Sequence, residues 1–150
     1  MDSIAQIPDA PTFPTLLFRV GRDLYGSKVT SAQEAIPLRN TTRVPGAPAY
    51  VRGLINLRGT IVTVIDLGAR LDATHTGSDE GSILLVRQNG GDRIVGVVVD
   101  EVLDVRSLAI DEDATPAGAR GGMTRGLTMI DDTTVVILDL DALISKVLLS

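Results

Sequence analysis

The stretch YVRGLINLRGTIVTVIDL, residues 50–67, places two Arg-Gly pairs directly before an apolar run that is rich in β-branched residues. Residues 61–67 are typical of a strand that is covered on both faces. Gly53 and Gly59 permit tight turns or a close backbone approach that a Cβ atom would obstruct. A short turn at Arg58 would present its planar guanidinium at a fixed angle. The stretch therefore predicts a buried strand entered through a turn that displays an arginine.

The composition favours a β-rich core. The 150 residues suffice for one domain, or for two very small ones that share a core. Aromatic residues make up 3% of the chain and Trp is absent, so the core must consist of Val, Ile and Leu, which favour strands. The net charge of −5, without a basic run, argues against a nucleic-acid partner. Because there is no Cys, disulfides, Cys-ligated zinc and thiol chemistry are excluded.

The first residues predict a lead-in to the domain rather than a targeting segment. Residues 1–14 contain three prolines and lack both a cationic start and an apolar h-region, so we expect a flexible segment and no signal peptide. No apolar run approaches the roughly 20 residues that a membrane-spanning helix needs. We therefore expect a cytoplasmic protein without direct membrane insertion.

The rest of the chain predicts short strands and one helix. Asn89-Gly90 favours a positive φ and marks the clearest hairpin. Apolar residues near the C-terminus recur at helical spacing, with Asp139 and Asp141 at the start, which predicts an amphipathic helix over 139–149. Its apolar face should cover an open end of the β structure. The predicted strands are 16–20, 24–29, 61–67, 83–86, 94–99 and 135–138.

A faint internal repeat suggests two related β units. Gly53-Leu54 and the strand that follows have an echo in Gly126-Leu127 and the strand after it, 73 residues later. Two copies are too few for a solenoid, so the pattern indicates two similar small units, although chance similarity between Val- and Ile-rich strands would produce the same pattern. Short, closely spaced strands favour barrels over an open sheet.

No set of residues supports catalysis. His75, the one histidine, lies in a polar segment with every mark of a surface loop, without an evident partner to orient it as a base. Residues 111–113 are acidic but lack the alternating ligands and distant Glu of a calcium loop, which favours a solvated turn over a metal site. No nucleophile elbow, Walker loop or zinc-protease motif occurs. A small-ligand β-barrel enzyme is thus the least supported alternative.

Three stretches of the sequence resemble the CheW-like family of coupling proteins. Residues 16–36 are similar to the family's opening hairpin and the acidic strand after it, and residues 92–106 are similar to its "Gly-aliphatic-Val-Asp-x-Val" strand. Residues 44–67 carry the strongest resemblance, because Asn56-Leu57-Arg58-Gly59 follows a Pro-containing segment and precedes a strand that ends in Asp-Leu. The resemblance covers about residues 15 to 147.

The resemblance implies a mainly β fold of two intertwined five-stranded SH3-like β-barrels that share a core, with a short C-terminal α-helix. It places the domain at 15–150, with barrels at approximately 15–66 and 67–138. It implies a non-catalytic chemotaxis adaptor that couples the cytoplasmic tips of methyl-accepting chemotaxis receptors to the regulatory domain of the histidine kinase CheA. Such an adaptor needs no cofactor and no metal, is recruited to membrane-associated receptor arrays, and is expected to be a monomer in isolation.

The resemblance also implies a receptor-binding set, Ala32, Glu34, Asn56, Arg58 and Val98, with Gly53 and Gly59 setting the turn and edge geometry. Several of these residues have purely structural alternatives. Arg58 could form an internal ion pair with Glu34 or Asp66, or be oriented for a partner by Glu34. Asn56 could satisfy nearby backbone, and Val98 could pack in the core. Arg52 is expected to be a solvated side chain.

Three positions depart from the family pattern. Ser27 replaces a usual aliphatic residue. Ala32 stands where a larger aliphatic residue is usual, and Thr63 stands where Pro is usual. The last two departures keep open an alternative, a CheW-like adaptor of a different chemosensory circuit (pilus or twitching motility) or a subunit that fills array positions.

Overall fold

The computed structural model describes residues 11–29, 32–71, 80–87, 93–113 and 124–149. Within these ranges the chain is mainly β, which confirms the predicted fold class. The elements are β1 Thr12–Val20, β2 Asp23–Lys28, β3 Ala32–Pro37, β4 Val51–Leu57, β5 Thr60–Asp66, α1 Leu67–Arg70, β6 Ser82–Arg87, β7 Ile94–Val99, β8 Glu101–Ala109, β9 Thr124–Ile130, β10 Thr133–Leu138 and α2 Leu140–Leu149.

The strands form two five-stranded sheets that interleave along the chain. Sheet A has the order β8-β1-β2-β10-β9, and sheet B has the order β3-β6-β7-β5-β4. The predicted division into consecutive halves, 15–66 and 67–138, is therefore wrong. The physical reason is that β2 pairs in parallel with β10 rather than with β3, and parallel pairing requires a long connection between the two strands. Sheet B is built within that connection.

Each sheet is closed by one backbone bridge next to its outer strand. In sheet B, Thr42 and Leu54 exchange two hydrogen bonds of 2.8 Å each, which joins the segment after β3 to β4. In sheet A, Asp111 and Leu127 exchange bonds of 2.8 and 3.0 Å, which joins the segment after β8 to β9. The first and last strands of each sheet are thus connected, as the expected barrels require.

The core lies mainly between the two sheets. Its largest cluster combines Phe18 and Leu138 of sheet A with Val97 and other residues of sheet B, and it includes the buried face of α2. Leu140, Leu143 and Ile144 of α2 are fully buried in this shared core, while each sheet also has a smaller cluster of its own. The helix therefore packs on both sheets at once.

The C-terminal helix begins at Leu140, one residue after the predicted start at Asp139. The Asp139 carboxylate accepts a hydrogen bond from the Ala142 backbone N–H at 3.0 Å, so it caps the first turn of α2. The predicted hairpin between β6 and β7 is confirmed by their antiparallel register, which ends at the pair Arg87 and Ile94. Its Asn-Gly turn and His75 lie outside the described residues. In the described part of the chain, no helix combines the length and apolar character needed to cross a bilayer.

Candidate functional site

The motif at residues 56–59 forms the turn between β4 and β5. Leu57 and Thr60 are the last paired residues of the two strands, so Arg58 and Gly59 make a two-residue loop. Arg58 has a φ of 53° and Gly59 a φ of 86°, and two successive positive φ values are typical of a type I′ hairpin turn. Such a turn matches the twist of the strands, which fixes the direction in which Arg58 leaves the sheet.

Asn56 holds this turn from inside. Its side-chain oxygen accepts a hydrogen bond of 2.9 Å from the Gly59 backbone N–H. Asn56 therefore satisfies a nearby backbone group, which was the structural alternative for this residue. Asn56 is also exposed and thus accessible to a partner. Its contact with a receptor stays a prediction.

Arg58 is displayed at the surface and paired with a carboxylate. Its Nη2 atom donates to Glu34 Oε2 at 3.0 Å, and 72% of the Arg58 side chain and 42% of the Glu34 side chain are exposed. An exposed ion pair of this kind contributes only about 0–1 kcal/mol to folding. The pair holds one edge of the guanidinium and leaves further N–H donors toward solvent. This is the arrangement in which Glu34 orients Arg58.

Gly53 lies inside β4, so of the two roles predicted for it, a tight turn or a close backbone approach, the structure shows the second. The register between β4 and β5 shifts between Val51 and Gly53, and Gly53 has a φ of 145°. A Cβ atom at Gly53 would lie 2.5 Å from the backbone oxygen of Thr42. Gly53 therefore permits the close approach that closes sheet B, whereas Gly59 has open space around it and is needed for its φ alone.

Arg52 is not the solvated side chain that the sequence predicted. Its Nη1 atom lies 3.8 Å from Asp66 Oδ2, and both side chains are partly buried. Asp66 also accepts a hydrogen bond from the Ala69 backbone N–H, so it caps α1. The carboxylate considered as an alternative partner for Arg58 is thus engaged by Arg52 and the helix.

Val98 is wrongly placed in the predicted contact set. Only 3% of it is exposed, and it packs with Ile55, Val62 and Ile83 in the core of sheet B. All three valines of residues 97–99 are buried, because β7 is a central strand covered on both faces. Ala32 begins β3 and pairs with Val86 of β6, and its role in receptor contact stays a prediction.

Among the residues whose burial the structure describes, three large apolar side chains are exposed that the sequence did not single out. Leu103 and Val105 lie on β8, the edge strand of sheet A, with exposed fractions of 46% and 52%, and Ile61 near the start of β5 is 63% exposed. The alternation of aliphatic and charged residues around Leu103 and Val105 predicts a half-buried strand with these two side chains facing inward. Their exposure is therefore a finding of the structure that the local pattern does not indicate.

The acidic residues 111–113 form a turn that is paired with basic side chains. Glu112 Oε1 lies 3.3 Å from Lys28 Nζ and 3.5 Å from Arg125 Nη2. The hydrogen bond from Lys28 and its positive charge hold the pKa of Glu112 below its ordinary value of 4.5. Asp111 Oδ1 accepts from the Asp113 N–H at 3.1 Å. Among the residues that the structure describes, no group of His, Asp and Glu is arranged to hold a metal ion.

Comparison with known proteins gives one family. The model of the CheW-like domain matches residues 14–148. Chemotaxis protein CheW of Klebsiella aerogenes is 33% identical over 135 residues, which cover 87% of this chain and 81% of the relative. Chemotaxis protein CheW of Bacillus subtilis is 31% identical over 136 residues, which cover 87% and 86%.

A solved structure agrees with these relatives. The crystal structure of the scaffolding protein TtCheW from Thermoanaerobacter tengcongensis superposes with a TM-score of 0.74 at 28% identity, and the match covers 85% of this chain and 89% of that one. Two interleaved sheets, a shared core and the residue 56–59 turn are thus found together with a family match over nearly the whole domain. The chain belongs to the CheW-like domain family.

Proposed function

We propose that this protein is a non-catalytic chemotaxis adaptor that couples the cytoplasmic tips of chemoreceptors to the regulatory domain of the histidine kinase CheA. The observation that carries the proposal is the Arg58 guanidinium, which the turn and Glu34 hold in a fixed, exposed position within a CheW-like domain. The relatives are named for chemotaxis, and the structural neighbour is named as a scaffolding protein. The adaptor is recruited to membrane-associated arrays by its receptor partners.

The chemistry of the Arg58 turn suits recognition of a protein surface. A guanidinium presents five donors in a plane and binds carboxylates or helix-end carbonyls with defined geometry. The rigid turn lowers the entropy that such a contact would otherwise cost. Because the ion pair with Glu34 adds little to stability, its value lies in orienting Arg58 toward the receptor.

An adaptor with two partners needs more than one contact surface. The exposed Leu103 and Val105 on β8 offer an apolar surface on sheet A, whereas Arg58 and Glu34 lie on sheet B. Exposed aliphatic side chains grouped on one edge strand favour protein contact. We assign both surfaces to the complex of receptor, adaptor and kinase.

Co-sedimentation with receptor-containing membranes and the kinase tests the proposal. Wild type should sediment with membranes that contain the receptors of its own genome, and it should bring the kinase with it. Arg58→Glu should lose receptor association while its unfolding transition stays close to that of wild type. Arg22→Glu, which makes the same charge change at another exposed arginine, is the matched control and should behave as wild type. Failure of wild type to co-sediment would refute the adaptor role.

Two residues favour a second chemosensory circuit as an alternative. Ala32 and Thr63 replace residues that are usual in the family, and Thr63 lies in the central strand β5 between β4 and β7. If the adaptor serves a pilus or twitching system, or fills array positions, wild type should sediment with the receptors of that system and not with those of swimming chemotaxis. The genes that neighbour this one would identify which receptors to use.

A further inference from the structure

A groove runs along the outer side of β4, beneath the segment that closes sheet B. One part is lined by Arg39, Asn40, Asn56 and Ile61. The next part shares Arg39 and Asn40 and adds Arg52. A third part continues past Arg52 to Arg43 and the Gly-Ala-Pro turn at residues 46–48. Because neighbouring parts share lining residues, we call the three parts together the loop groove.

The loop groove is positively charged in a protein whose net charge is −5. Three arginines line it, and Arg52 is neutralised by Asp66. Within the described ranges, neither Arg39 nor Arg43 has a carboxylate partner. The surface thus carries two uncompensated guanidinium groups.

The groove also has an open backbone edge. Leu54 exchanges both of its outward hydrogen bonds with Thr42. Because polar groups alternate along an antiparallel strand, the backbone of Asn56, two residues on, faces the same side. Its carbonyl accepts from Arg39 Nη2 at 3.2 Å, while its N–H has no backbone partner in the described part of the chain. An incoming carbonyl can bind that N–H.

An apolar contact completes the surface. Ile61 is 63% exposed and lies at the same end of the groove as Asn56. A free backbone donor, two guanidinium groups and an exposed aliphatic side chain are together the features that bind an extended peptide with acidic and aliphatic residues.

We propose that the loop groove binds an extended acidic segment of a partner protein, with a carboxylate on Arg39 or Arg43, a backbone carbonyl on the Asn56 N–H and an aliphatic side chain on Ile61. The arginines of this site are distinct from Arg58, which is paired with Glu34. Asn56 belongs to both surfaces, since its side chain holds the Arg58 turn and its backbone N–H faces the groove. The inference does not rest on the proposed function, because it concerns binding by the isolated protein.

Titration of the full ¹⁵N-labelled chain with a blocked peptide, Leu-Glu-Asp-Leu-Glu, tests the proposal by NMR. We expect chemical-shift changes centred on the amides of Asn40, Asn56 and Ile61 at millimolar peptide, and weaker binding as salt is raised. The matched peptide Leu-Gln-Asn-Leu-Gln, which lacks the charges, should bind about tenfold more weakly.

Variants distinguish the groove from general attraction to a basic protein surface. Arg39→Ser with Arg43→Ser should abolish the shift changes. Arg22→Ser with Arg93→Ser removes the same charge from exposed arginines outside the groove and should leave binding unchanged. The proposal is overturned if the uncharged peptide binds equally well, if both double variants lose binding equally, if the shift changes lie elsewhere, or if none occur. None of these outcomes depends on receptor or kinase, so co-sedimentation can succeed or fail independently.

Discussion

Gly53 and Gly126 occupy equivalent positions in the two sheets, 73 residues apart, and each faces a backbone carbonyl of the bridge that closes its sheet. A Cβ atom at Gly53 would lie 2.5 Å from Thr42 O, and one at Gly126 would lie closer still to Asp111 O. The residues after them, Leu54 and Leu127, form the two closing bridges. The internal repeat is therefore a repeat of barrel closure.

We expect Gly53→Ala and Gly126→Ala to destabilise the protein strongly, by about 2–4 kcal/mol each, because backbone must move to admit the Cβ atom. Gly46→Ala is the control for backbone conformation alone. Gly46 has a φ of +80°, but a Cβ atom added there would have nothing within 4 Å, so we expect a cost of about 1 kcal/mol. Urea unfolding of the three variants measures the differences. Equal costs at positions 46 and 53 would contradict the role of close approach.

Position 58 should show a conflict between stability and function. Arg58 adopts a φ of 53°, which Asn tolerates better than Arg in a type I′ turn. Arg58→Asn should therefore leave stability unchanged or raise it by up to about 1 kcal/mol, yet lose receptor association. Asp131, with a φ of 47°, occupies the equivalent turn of sheet A. Asp131→Asn should have the same effect on stability but keep receptor association. Thermal unfolding and co-sedimentation of both variants test this, and loss of receptor association in both would contradict a specific role of Arg58.

The cap of α2 should matter more than its ion pair. Asp139 caps the helix through the Ala142 N–H, and its Oδ2 lies 3.9 Å from Arg125 Nη1. Asp139→Ala should cost about 1 kcal/mol because an N-terminal backbone donor loses its acceptor. Asp139→Asn keeps the acceptor and should recover most of the loss, and Arg125→Ala should cost less than Asp139→Ala. If Asn is as damaging as Ala in denaturant unfolding, the ion pair dominates instead.

The sequence predicted the elements better than their arrangement. The β-rich class and the C-terminal helix followed from residue types and local periodicity. The division into consecutive halves failed because the parallel pair of β2 and β10 is a contact between distant segments, which local patterns do not encode. The 73-residue repeat corresponds to two structurally equivalent hairpins, β4–β5 and β9–β10. Each hairpin closes one sheet, and the two sheets interleave along the chain instead of following one another.

The candidate site was predictable where a local motif specified it. The turn at Arg58 was predicted from the glycine beside it. Its carboxylate partner was left open between Glu34 and Asp66, and the structure pairs Arg58 with Glu34. Arg52 and Val98 were misjudged because exposure depends on neighbouring strands. A central strand buries every side chain of residues 97–99, and a carboxylate 14 positions away in sequence pairs with Arg52.

Substitutions at Val98 and Val105 should distinguish a residue that packs in the core from one that contacts a partner protein. Val98 is 3% exposed and Val105 is 52% exposed. Val98→Ala should destabilise the protein by about 1–3 kcal/mol, because it leaves a cavity in the core of sheet B. Val105→Glu should change the unfolding free energy by less than about 0.5 kcal/mol but weaken co-sedimentation of the receptor and kinase complex. A stable Val98→Ala variant with impaired receptor binding would restore Val98 as a contact residue.

Glu112 should make stability depend on pH in the acidic range. The hydrogen bond and charge of Lys28 lower the pKa of Glu112 in the folded protein below the ordinary value of 4.5. A carboxyl group with a depressed folded pKa contributes stability above its unfolded pKa, and that contribution is lost as pH falls through the folded value. Wild type should therefore exceed Glu112→Gln in melting temperature at neutral pH, and the difference should shrink as pH falls below 4.5. Lys28→Met should reduce the same dependence, because it removes the largest cause of the shift. A difference between wild type and Glu112→Gln that stays constant from neutral to acidic pH would show that the ion pair does not form in solution.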